Sequence, residues 1–166
     1  MTCHHHTGGA PLGLSRRTFC ALVPAALGAV MLPGCLPEDT GPVEIRWDRD
    51  ACALCNMIIS DKRFAAQVRG GPKRKATKFD DIGCALNWLA LTTWKGEPDI
   101  EIWVNDYDKR NVWLEARKAF WVPGLISPMD YGFGAVAASR DNSVSFLETQ
   151  KLVLAKGSPH CETPPS

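Results

Sequence analysis

The strongest constraint on the fold of this chain is a pair of predicted strands that runs directly into a helix. Residues 64–69 and 73–79 are predicted to be β-strands, and the Gly-Gly-Pro sequence between them indicates a tight turn. Asp80 or Asp81 then suits a helix N-cap, because residues 82–90 repeat apolar side chains at helical spacing. A hairpin followed by a helix predicts an α+β fold with a largely antiparallel sheet.

The rest of the chain continues this alternation of strands and helices. Further strands are predicted at residues 43–47, 100–104, 113–116, 119–122 and 133–138. A second helix is predicted at residues 142–154, with Asp141 as its cap. The order of these elements suggests two related β-β-α units within one domain.

The N-terminal region is interpreted as an export signal rather than as part of the fold. Arg16 and Arg17 form a twin-arginine pattern, and the apolar run at residues 20–32 is too short to span a bilayer. A Leu-Pro-Gly-Cys sequence then ends at Cys35, which is expected to be lipidated and to anchor the protein at the periplasmic or extracytoplasmic face of a membrane. The predicted organisation is a signal at 1–34, a linker at 35–42, one domain at 43–155 and a flexible tail at 156–166.

Charge and composition exclude several classes of function. Nineteen Lys and Arg residues nearly balance eighteen Asp and Glu residues. The basic cluster comprises Lys73, Arg74, Lys75 and Lys78. Because two aspartates follow it directly, this cluster is interpreted as a solvated turn and strand face, and no nucleic-acid partner is expected. The sequence has no phosphate-binding loop, Ser-His-Asp set or paired-carboxylate arrangement, so we do not expect an enzyme.

Three soft sulfur donors lie within six residues, in the sequence Cys52-Ala-Leu-Cys55-Asn-Met57. Thiolates and thioethers together favour Cu(I) over the harder biological cations. Cys55 and Met57 are expected on the same side of an extended segment, because residues i and i+2 point alike. They are the predicted core of a Cu(I) site, with Cys52 as a helper.

Cys52 and Cys55 also form a Cys-x-x-Cys pair, which leaves other chemistry open. A thiol–disulfide function or a bracing disulfide would suit a compartment outside the cytoplasm. The pair precedes a predicted hairpin instead of beginning a helix, which weakens the catalytic redox interpretation. No second paired motif completes a zinc site. Cys84 is interpreted as a small buried helix residue, and His160 with Cys161 as part of the tail.

Four segments together resemble the NosL family. They are Cys-Ala-Leu-Cys-Asn-Met-Ile-Ile-Ser-Asp at 52–61, Phe-Ala-Ala-Gln at 64–67, Phe-Asp-Asp-Ile-Gly-Cys at 79–84 and Ser-Pro-Met at 127–129. The family consists of copper-binding periplasmic lipoproteins associated with maturation of nitrous oxide reductase. The resemblance implies two ββαβ-like units, related at fold level to the organomercurial lyase MerB. It also implies Cu(I) delivery to a copper acceptor protein, with nitrous oxide reductase and its maturation machinery as the expected partners.

The resemblance also implies roles for particular residues. Cys55 and Met57 match the family's Cys-x-Met copper motif, and Met129 matches its Pro-Met segment as a further ligand or gate. Asp80 and Asp81 are candidates for orienting the segment at 52–57, which we call the copper loop, through contacts with its ligands. They are also candidates for capping the helix.

Overall fold

The computed structural model describes residues 39–158, which fold into two antiparallel sheets and two helices. The elements are β1 (Ala66–Gly70), β2 (Lys75–Phe79), α1 (Ile82–Leu91), β3 (Glu101–Asn105), β4 (Trp113–Glu115), β5 (Phe120–Val122), β6 (Gly134–Val136) and α2 (Phe146–Lys156). The predicted α+β class is confirmed. The signal, the lipidation site at Cys35 and the end of the tail at 159–166 lie outside the described residues.

One face of the four-stranded sheet forms the core beneath α1. The strand order is β2-β1-β3-β4, and every neighbouring pair is antiparallel. Directly paired residues share a face of a sheet, so Ala66 of β1 lies beside Phe79 of β2 and Val104 of β3. All three side chains are buried. The Phe79 ring lies 5.4 Å from a ring of Trp88 in α1, which places the helix on this face.

The opposite face of the sheet is covered by an irregular segment that precedes β1. Gln67 is buried here, and its side-chain amide donates to the carbonyl oxygen of Val43 at 2.7 Å and accepts from its N–H at 2.8 Å. Arg69 donates to the carbonyl oxygen of Gly41 at 2.9 Å. The prediction of a strand at 43–47 is therefore wrong. Both edges of β1 are taken by β2 and β3, so this segment crosses the face and bonds to side chains instead.

Helix α1 begins at a buried carboxylate, as predicted. Asp81 has an extended backbone, and its Oδ1 accepts from the N–H of Gly83 at 2.8 Å. A Cβ added at Gly83 would lie only 1.9 Å from the ring of Tyr131. The Tyr131 hydroxyl donates to the carbonyl oxygen of Gly157 at 2.9 Å and accepts from Asn87 at 3.2 Å. The loop before β6 is thereby packed against the first turn of α1.

Helix α2 begins four residues later than predicted. The backbone of Val144 exchanges two hydrogen bonds with a buried tryptophan of β5, at 3.0 and 2.8 Å. This bridge keeps the chain extended, so the helix predicted at 142–154 cannot begin before it. The cap is Ser145, whose Oγ accepts from the N–H of Glu148 at 3.3 Å, and not Asp141. Ser-x-x-Glu is the capping-box pattern.

The elements form one ββαβ unit and one shorter ββα unit. β1, β2, α1 and β3 make a ββαβ unit, and β5, β6 and α2 repeat its first three elements. The two helices contact each other, and a parallel bridge between Asp106 and Ala135 joins the two sheets. Within residues 39–158, neither helix combines the length and the apolar character needed to cross a bilayer.

The contact between Gly83 and Tyr131 generates a stability prediction. We expect Gly83→Ala to lower the free energy of unfolding by about 2 kcal/mol, because the added methyl group must displace a packed aromatic ring. Gly96→Ala is the matched control, since nothing lies within 4 Å of a Cβ at that position. Its effect should stay within about 0.5 kcal/mol. Urea denaturation measures both changes, and equal effects of the two substitutions would contradict the packing described.

Candidate metal site

The Cys-x-x-Cys-x-Met sequence lies in a tight loop attached to the edge of the four-stranded sheet. Ala51 and Ile58, on either side of the loop, form an isolated antiparallel bridge. Ala53 donates its N–H to the carbonyl oxygen of Lys78 in β2 at 3.0 Å. The Lys78 ammonium donates to Asp50 at 2.6 Å, and this bond holds the pKa of the Asp50 carboxyl well below its usual range. A backbone hydrogen bond and an ion pair thus attach the loop to β2.

Within the loop the backbone turns at Asn56. Its φ of 60° lies in the left-handed region, which asparagine tolerates better than most residues. The N–H of Cys52 donates to the carbonyl oxygen of Met57 at 2.8 Å, and Asn56 donates back to the carbonyl oxygen of Cys52 at 3.0 Å. The expectation of an extended segment from Cys55 to Met57 is therefore wrong. The loop closes because its backbone groups form these hydrogen bonds with each other, whereas an extended strand would bond to a neighbouring strand.

Four potential metal ligands meet where the loop, the end of β2 and the first turn of α1 come together. The Sγ atoms of Cys52, Cys55 and Cys84 and a carboxylate oxygen of Asp80 all lie within 4.8 Å of one another. The Cys55 Sγ is 3.5 Å from each carboxylate oxygen of Asp80. Three members are buried, whereas Cys55 is half-buried. All three cysteines are free thiols. The group is a buried set of donors whose accessible member is Cys55.

The three thiols do not ionise independently. A hydrogen bond from Cys84 lowers the pKa of Cys52. The same bond, together with burial, raises the pKa of the Cys84 thiol. Burial is the main cause that raises the pKa of Cys55 to about 12, and the neighbouring Cys52 and Asp80 add to it. Cys52 therefore gives up its proton more readily than the other two thiols, and a cation that binds all three must displace the protons they carry.

Asp81 connects the start of α1, whose first turn carries Cys84, to the loop that carries Met129. Its Oδ2 accepts from the Ser127 hydroxyl at 2.5 Å and from the N–H of Met129 at 3.3 Å. Burial raises the pKa of the Asp81 carboxyl, and these hydrogen bonds partly oppose that rise. One carboxylate thus caps α1 and holds the 127–129 loop beside it, while its neighbour Asp80 contacts Cys55.

The structure places the predicted methionines in different surroundings. Met57 is 49% exposed on the same loop as Cys55, whereas Met129 is 7% exposed and attached through its backbone to Asp81. Met57 is therefore available to solvent or to a partner, and Met129 belongs to the buried core. Their roles as copper ligands stay predictions.

Cys84 is expected only in the core and Asp80 only in a supporting role, but both are members of the four-residue group. Cys84 is indeed buried, but its Sγ faces the loop cysteines. One available signal was its place in the first helical turn after the predicted cap Asp81, since a helix N-terminus favours a thiolate. The pairing of this turn with the loop depends on the contact of Ala53 with β2, which no local pattern reveals.

The donor types limit what the group can bind. Three sulfurs and one carboxylate suit soft or borderline cations such as Cu(I) and Zn(II), and they suit Ca(II) and Mg(II) poorly, because those cations require oxygen ligands. A fully enclosed four-ligand group is typical of structural zinc. Here one thiol is half-buried and a thioether is exposed two residues away, which is more typical of a site that exchanges its ion.

Comparison with known proteins identifies the family of this chain. The family model described as NosL matches residues 42–150, which is more than half of the chain and includes every member of the four-residue group. A search of curated proteins found no match. The chain belongs to the NosL family, a family of copper-binding proteins.

Proposed function

We propose that this protein is a membrane-tethered Cu(I) metallochaperone that acts without catalytic turnover. It holds Cu(I) at the extracytoplasmic face of a membrane and passes the ion to a copper enzyme. The family suggests nitrous oxide reductase as the acceptor. The observation that carries the proposal is the convergence of Cys52, Cys55, Cys84 and Asp80, with Cys55 as its accessible member.

The proposed transfer proceeds by ligand exchange. Cys52 and Cys84 bind Cu(I) from the buried side, and Cys55 completes the set from the loop. The thioether of Met57, exposed on the same loop, stabilises the ion as it approaches the surface. A sulfur or nitrogen ligand of the acceptor then binds the ion while its bond to Cys55 breaks. Further acceptor ligands replace Cys52 and Cys84 in turn, and the freed thiolates take up protons from water as the ion leaves. No electron is transferred, because the ion stays Cu(I) throughout.

A thiol–disulfide function is the alternative. It is supported by the free thiols of Cys52 and Cys55 in a Cys-x-x-Cys spacing. It is weakened by the burial of Cys52 and by the raised pKa of Cys55, since attack on a disulfide requires an accessible thiolate. A zinc site is a further alternative that metal competition distinguishes.

The role of Cys84 is tested by substitution. We expect Cys84→Ser to weaken Cu(I) binding by at least about tenfold, because a soft ligand on the buried side is lost. Anaerobic titration against a Cu(I) chelator measures the affinity, and circular dichroism checks that the variant folds. Cys161→Ser, in the tail outside the described residues, is the control and should leave the affinity unchanged. Equal affinities for wild type and Cys84→Ser would exclude Cys84 from the site.

Met57 distinguishes the copper function from the redox function. We expect Met57→Leu to lower the Cu(I) affinity clearly while leaving the reduction potential of Cys52 and Cys55 nearly unchanged, since a thioether binds Cu(I) but takes no part in thiol–disulfide exchange. Ile58→Leu is the control, because Ile58 is also 49% exposed and adjoins Met57. A Met57→Leu variant with unchanged Cu(I) affinity would favour the redox alternative.

Cu(I) affinity should rise with pH. Cys55 has a pKa raised to about 12, so its thiol is protonated at neutral pH and the metal must displace that proton. Each displaced proton adds about a tenfold gain in affinity per pH unit between about pH 6 and about pH 8. Chelator competition at several pH values measures the slope, which should fall in Cys55→Ser. An affinity independent of pH in the wild type would contradict thiol ligation.

A further inference from the structure

A basic groove lies beside the N-terminal end of the described chain. Its volume is about 580 Å³, and it is lined by Asp39 and by the cations Arg69, Lys73, Lys75 and Lys78. The lysines belong to β2 and to the turn before it. β2 is an outer strand of the four-stranded sheet, so the groove lies at an edge of that sheet.

The charges of this groove are only partly compensated. Lys78 is neutralised by Asp50 at 2.6 Å, and Arg69 lies 3.9 Å from Asp39. Lys73 and Lys75 are exposed, and among residues 39–158 neither has an acidic side chain within ion-pair distance. We call these two residues the lysine pair. It gives the edge of β2 two uncompensated positive charges.

The proposed anchor lies very close to this groove along the chain. Cys35 precedes Asp39 by four residues, and four residues can span at most about 14 Å even when fully extended. A lipid on Cys35 would therefore keep Asp39, and the groove that Asp39 lines, near enough to the membrane for the lysines to touch the head groups, although salt screens the attraction beyond about 8 Å. At that distance weak attraction between ammonium groups and anionic lipids becomes effectively intramolecular.

We infer that the lysine pair docks on anionic phospholipid head groups and so orients the domain on its membrane. This inference rests on the attachment through Cys35 in the proposed function. Lys75 and Lys78 also line a groove with Ala53 of the copper loop, and Ala53 is bonded to Lys78. Docking at the lysine pair therefore holds the copper loop at a constant height and direction relative to the bilayer. An acceptor bound to the same membrane would then meet Cys55 and Met57 in a defined orientation.

The test is lysine footprinting of the lipidated protein in two kinds of vesicle, neutral phosphatidylcholine and phosphatidylcholine mixed with anionic phosphatidylglycerol. An amine-acylating reagent is added and the rate at each lysine is followed by mass spectrometry. We expect the lysine pair to react about fivefold more slowly on the anionic vesicles, and high salt should abolish the protection. Lys118 and Lys151 are exposed internal controls and should react equally on both vesicles.

Three results would overturn the inference. They are equal rates at the lysine pair on both vesicles, equal protection of all four lysines, and a Cys35→Ser chain that remains on neutral vesicles. The last would remove the short tether on which the orientation depends. Lys73→Gln combined with Lys75→Gln removes the docking charges and should keep the wild-type affinity for Cu(I). Failure of the docking is thus distinguished from failure of the copper site, which chelator titration measures separately.

Discussion

The site depends on two consecutive aspartates at the junction of β2 and α1. Asp80 and Asp81 are both buried, and a buried carboxylate is costly unless polar groups surround it. Asp81 meets that requirement by capping α1 and by binding Ser127 and the backbone of Met129. The carboxylate of Asp80 instead contacts the thiol of Cys55. This junction therefore fixes the positions of α1, of the 127–129 loop and of the copper loop.

This junction also explains how a site can be both stable and open. Cys84 lies in the first turn of α1 and Cys52 is buried against it, so two sulfurs are held by the core. Cys55 belongs to a loop that is attached to β2 through Ala53 and Lys78 and is only half-buried. In the proposed function, the two sulfurs held by the core retain the ion and Cys55 exchanges it. A closed group of four ligands would bind more tightly but would release the ion slowly.

Much of the fold follows from local patterns. The hairpin at the Gly-Gly-Pro turn, the cap at Asp81 and the α+β class were predictable because turn chemistry and helical periodicity act over a few residues. The start of α2 was not, since the bridge of Val144 to β5 is tertiary. For the same reason Cys55 could be predicted as a candidate from its neighbours, whereas the position of Cys84 in the first helical turn did not by itself bring it to the loop cysteines. Its inclusion depends on the contact between residues 53 and 78, which brings the loop over the helix.

The most direct test of the account is X-ray absorption spectroscopy of the reduced protein loaded anaerobically with copper. The three thiols and Asp80 lie within 4.8 Å of one another, which is close enough for all four to bind the same ion. We predict one Cu(I) per chain with a first shell dominated by sulfur, and retention of that ion in the presence of excess Zn(II). A chain that takes up no Cu(I), a shell made only of nitrogen and oxygen, or displacement of copper by zinc would contradict the account.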